Sequence, residues 1–139
     1  MAAEENKELI RRYVKEIYNT KDLTNYADYV SAEILDFGVD HLEQFFNAFP
    51  DSHVNVIDIF GEGEKVIARL DIHGTNTGSF AGQPPTGKKV NFESYRIYRI
   101  VDKKIVESWA MQDRLGLMEQ LGLVQSASGN VNWGSTDGD

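Results

Sequence analysis

The hydrophobic period of the chain changes once, at Pro50, and that switch restricts the fold more than any other feature. Ahead of it, apolar residues recur at helical spacing. Leu9, Ile10, Tyr13, Val14 and Ile17 mark one amphipathic helix between Glu4 and Tyr18. Leu23, Tyr26, Ala27 and Val30 predict a second, short helix; Leu42, Phe45, Phe46 and Phe49 predict a third, stopped by Pro50. Behind Pro50 the period is two. His53 to Phe60 is rich in β-branched residues, and Lys65 to His73 alternates apolar and polar residues. Val90 to Val101 is a long strand that turns at Asp102-Lys103-Lys104 into a last strand holding Glu107 to Asp113, "ESWAMQD". Asp113 can cap a final helix with Leu117, Met118 and Leu121 on its inner face and Gly122 at its stop.

Helices followed by hairpin-connected strands predict an α+β fold, with helices packed on one face of a curved antiparallel sheet. A sheet closed over in this way makes a cone, and a small-molecule pocket inside it is the expected site. One domain is expected over residues 1–124. Residues 125–139 have the composition of a flexible tail.

Composition removes several classes of function. The chain has no cysteine, so disulfides, thiolate metal sites and cysteine nucleophiles are excluded. Its three histidines, His41, His53 and His73, are too far apart to suggest a zinc helix, and no metal is expected. A net charge of -8 argues against binding nucleic acid or an anionic membrane. No apolar run approaches the length of a membrane span, and the polar N-terminus is not a signal peptide, so a cytoplasmic location is expected.

Three blocks, "GTNTGSFAGQPPTGKKVNF" (Gly74–Phe92), "YRIVDKKIVESW" (Tyr98–Trp109) and "DRLGLMEQLG" (Asp113–Gly122), resemble the SnoaL-like polyketide cyclases. These belong to the nuclear-transport-factor-2-like superfamily, and the likeness runs over roughly residues 6–123. The resemblance implies a cone-shaped α+β fold, a hydrophobic pocket, and ring closure of an aromatic polyketide by an intramolecular aldol reaction without metal or cofactor. It implies an aspartate in the last strand as acid/base, a place that the related limonene-epoxide hydrolases also give to aspartate. Family members commonly read His-Trp-Asp where this chain reads Ser108-Trp109-Ala110. The aspartate position thus falls on Ala110, which cannot exchange a proton. Asp113 matches a second family aspartate. Back-to-back homodimers are also implied, with Trp109 on the outer sheet face.

By the same resemblance Ser108, Ala110 and Gln112 face the pocket, and alternation on the preceding strand adds Phe92, Ser94, Arg96 and Tyr98. Ser94, Ser108, Gln112 and Tyr98 are expected to orient a ligand, and Phe46 to contribute to its aromatic surroundings if the Phe45–Phe46–Phe49 cluster is not wholly core. Arg96 either grips a ligand carboxylate or carbonyl, or forms a fixed ion pair with Asp71 or Asp36. Asp36, Asp71 or His73 would have to replace the missing acid, and Asp113 is a further catalytic candidate. Asp71 and His73 could form an imidazole–carboxylate pair, although i, i+2 side chains stand about 6–7 Å apart along a strand. The chain therefore reads either as a cyclase, isomerase or hydrolase of a hydrophobic carbonyl compound, or as a non-catalytic ligand-binding or dimerisation module.

Overall fold

A computed structural model describes residues 2–124, so the predicted flexible tail lies outside the described residues. Helix α1 (Ala2–Tyr13) carries Leu9, Ile10 and Tyr13 inward, with Glu4 and Glu5 in its first turn and Arg11 and Arg12 in its last, as the helix dipole favours. It continues as one π-helical turn, Val14–Tyr18, closed by the Asn19 amide donating to the Val14 carbonyl at 3.1 Å. The predicted second helix is only a 3₁₀ turn at Tyr26–Asp28, and the predicted third is much longer, α2 (Ala32–Ala48). Gly38 in its middle hides that length in the sequence, because glycine disfavours a helix interior. Tertiary packing explains it: a Cβ at Gly38 would lie 1.9 Å from the Tyr26 hydroxyl oxygen.

Four antiparallel strands follow, β1 (His53–Glu62), β2 (Lys65–Thr75), β3 (Lys89–Val101) and β4 (Lys104–Gln112), in the order β1-β2-β3-β4. Helix α3 (Arg114–Leu121) ends on Gly122, in the left-handed conformation at φ 75°. The inward residues of β2 and β3, including Val66, Leu70, Phe92 and Tyr98, meet Ile10, Tyr13, Ile17 and Phe49 in the core. This is the α+β cone expected from the change of period.

Two bulges set which side chains enter the cone. In β1 the register slips between Val56 and Asp58, leaving Ile57 unpaired. In β4, Ile105 pairs with Ile100 and Glu107 with Arg99, so Val106 is the extra residue. Without that slip the inward series starting at buried Ile105 would continue through Glu107 and Trp109. With it, Ser108, Ala110 and Gln112 pair with Tyr98, Arg96 and Ser94 on the concave side.

The long connection between β2 and β3 is organised by Asn76. Its buried amide donates to the Ala48 carbonyl (3.4 Å) and the Gly78 carbonyl (2.6 Å), and its side-chain oxygen accepts from the Thr86 amide and hydroxyl at 3.0 and 2.9 Å. The loop is thereby fixed against the end of α2, and its Phe80–Gln83 turn sits over the open end of the cone.

Candidate functional site

A cavity of about 920 Å³ lies between the helices and the concave face of the sheet. That is the size of a drug-sized ligand site. The π turn prepares one wall. On a regular α-helix residues 13 and 18 would point about 140° apart. The wider turn brings their rings edge to face at 5.4 Å, and Tyr26 and Tyr98 come within 6.2 and 6.1 Å of Tyr13. These four tyrosines surround Arg96, whose guanidinium carbon lies 5.8 Å from the Tyr18 ring.

No carboxylate pairs with Arg96 among the described residues. Its Nε is buried without a hydrogen-bond partner, and so are the Ser94 and Tyr98 hydroxyls. Three consecutive inward positions of β3 thus hold unpaired polar atoms, an arrangement that costs free energy unless something else supplies the partner. Tyr18 is the main influence raising the Arg96 pKa, against the opposing effect of burial, so the group is a cation at physiological pH. Burial, followed by neighbouring Tyr18, pushes the Tyr13 and Tyr98 phenols above the ordinary tyrosine range. Burial also raises Tyr26, with a hydrogen bond from Tyr13 opposing it. At neutral pH these are protonated phenols that can donate hydrogen bonds but do not serve as bases.

The β4 wall supplies Ser108, Ala110 and Gln112. Ala110 stands directly opposite Arg96 in the register. The lining includes one carboxylate, Glu107, and Arg99 holds it at 2.5 Å. Around the mouth are Phe80, with the Arg114 guanidinium stacked on it at 5.6 Å, and the Phe37–His41 pair at 4.3 Å.

Residues 8–121 match the SnoaL-like polyketide cyclase family. The chain belongs to that family. Among its curated relatives, it is 30% identical over 132 residues to the aklanonic acid methyl ester cyclase DnrD of Streptomyces peucetius, covering 83% of this chain and 89% of that one. It is 32% identical over 72 residues to the nogalonic acid methyl ester cyclase of Streptomyces nogalater, covering 52% and 54% of the two chains. Among solved structures, AclR from Streptomyces galilaeus superposes with a TM-score of 0.80 at 28% identity, over 88% of this chain and 84% of AclR. IdmH from Streptomyces antibioticus gives 0.70 at 26%, over 84% and 98%.

Within this SnoaL-like cone the site residues expected from sequence separate into two groups. Arg96, Tyr98, Ser108, Ala110 and Gln112 come together in the cavity, and Ser94 lies on the same strand face, closed off from solvent. Asp71 and His73 lie on the convex face, where the His73 ring packs on His53 at 5.6 Å. Arg96 pairs with neither Asp71 nor Asp36. Asp113 is outside the lining and caps α3, accepting from the Gly116 amide at 2.9 Å. Phe46 packs against the core, while Phe45 and Phe49 line the cavity.

Sequence reasoning missed Tyr18, Arg114 and His41 as lining residues. His41 is solvent-exposed and at the same time borders the cavity mouth. The five-residue step from Tyr13 to Tyr18 becomes meaningful only when the π turn is known. Among the described residues no helix is long and apolar enough to cross a membrane.

Proposed function

We propose that this SnoaL-like protein binds a hydrophobic, oxygen-bearing molecule of polyketide type in the cone and does not carry out the family's aldol cyclisation. The observation that carries the reading is Arg96, a half-buried cation whose Nε is buried without a partner, with alanine at the facing position of β4. Arg96 with the phenols of Tyr13, Tyr18, Tyr26 and Tyr98 can hold a carbonyl, enolate or carboxylate oxygen. Ser108 and Gln112 add neutral hydrogen-bonding groups. This wall has no group that takes a proton from carbon at neutral pH, and general acid–base catalysis contributes about 10²–10⁴-fold where it operates.

The test uses aklanonic acid methyl ester, whose cyclisation names two of the curated relatives. Titration of the purified protein should give saturable binding, with no cyclised product. Robust wild-type cyclisation would overturn the non-catalytic reading.

A homodimer through the convex sheet face is also proposed. Phe60, Ile67, Tyr95, Trp109 and Met111 are large exposed apolar or aromatic residues of that face, and Met111 is 76% exposed. An apolar patch of this kind suits an interface between copies. Sedimentation at micromolar concentration should give a dimer that Trp109→Glu dissociates; a wild-type monomer would refute the proposal.

A further inference from the structure

We infer that the ligand of this cavity is a carboxylate, a free acid rather than its methyl ester. The inference rests on the binding reading above and adds the charge of the ligand. Arg96 and Arg114 both line the cavity, and neither meets a carboxylate among the described residues. The carboxylate in the lining and the one next to Arg114 in the chain are engaged elsewhere. Glu107 is bound by Arg99, and Asp113 by the Gly116 amide. Inside the cone, the position facing Arg96 is Ala110. Directly opposed Cβ atoms in an antiparallel pair stand about 4.5–5.5 Å apart, so an acidic residue at 110 would be the natural counter-ion. Alanine there leaves the half-buried guanidinium without a counter-ion among the described residues.

A buried charge is costly without a partner, and a planar guanidinium matches a carboxylate through two parallel hydrogen bonds. Among the polar groups around Arg96, the tyrosine phenols and the Ser94 and Ser108 hydroxyls are neutral donors that suit the same anion. Arg114, stacked on Phe80 at the mouth, adds positive potential where the ligand enters, although the whole protein is acidic at -8. A neutral ester would leave the Arg96 charge uncompensated and fit this wall less well.

Calorimetric titration of the full chain with aklanonic acid and with its methyl ester, at neutral pH and two salt concentrations, tests the inference. The acid should bind at least tenfold tighter than the ester, with an advantage that shrinks in high salt. Ala110→Asp should abolish the preference by giving Arg96 an internal partner, and continued ester binding would show that this variant keeps its cavity. Arg114→Gln should weaken the acid severalfold and the ester distinctly less. Equal or tighter binding of the ester overturns the charge assignment while the binding reading stands. Binding of neither compound overturns both.

Discussion

Arg69 and Arg96 sit on adjacent strands and face opposite sides of the same sheet. On the convex face, Arg69 binds both Glu93 oxygens at 3.0 Å and Asp58 at 3.2 Å. On the concave face, Arg96 has four tyrosines around it and, among the described residues, no carboxylate partner. Ion pairs on a solvated face contribute little, because water already stabilises the separated charges. A cation drawn partly out of water without a counter-ion adds little to stability, so Arg96 is better understood through what it binds than through what it holds together. The contrast separates a face that completes its own electrostatics from one left incomplete.

The sharpest way to break this comparison is to remove each cation in turn. Arg96→Met should leave the unfolding free energy unchanged or raise it slightly, since no ion pair among the described residues is lost. It should also abolish binding of an acidic ligand. Arg69→Met should lower stability slightly and leave binding unchanged. Urea denaturation with parallel titrations checks both; a marked loss of stability in Arg96→Met would show that the guanidinium has an internal structural role.

A smaller effect is expected from Gly38→Ala. The new methyl group would displace the Tyr26 hydroxyl from its place against α2. Overpacking of this kind costs about 1–3 kcal/mol, against a gain in helix propensity of about 1 kcal/mol. Stability should therefore fall modestly, while ligand affinity falls because the tyrosine wall shifts. Unchanged affinity would show that Tyr26 does not contribute to the site.

The smallest effect belongs to the convex face at low pH. Arg69 first, then Tyr95, hold the Glu93 carboxyl below its ordinary value of 4.5. A depressed folded pKa gives stability that is complete above the unfolded value and lost as pH falls toward the folded one. Denaturation midpoints should therefore decline below about pH 4.5, and Glu93→Gln should flatten that part of the decline. Arg96→Met should leave this slope unaltered, since Arg96 meets no carboxylate among the described residues.

Helical spacing before Pro50 and alternation after it determined the α+β class, and the three sequence blocks pointed to the family. Composition alone also removed cysteine chemistry. Side-chain character could locate Ser94, Arg96 and Tyr98 on one strand face, since period two is a local property. The strand β4 was different. Alternation groups Ser108, Ala110 and Gln112 together, yet it does not say which way they point; the extra residue at Val106 does, and a bulge forms only against a partner strand. The π turn after Tyr13 and the approach of Tyr26 to Gly38 are likewise products of packing between distant segments. The sequence by itself determined that an arginine and an alanine occupy the last two strands. Only the tertiary structure placed them face to face, because strand register is a relation between two segments and neither carries it alone.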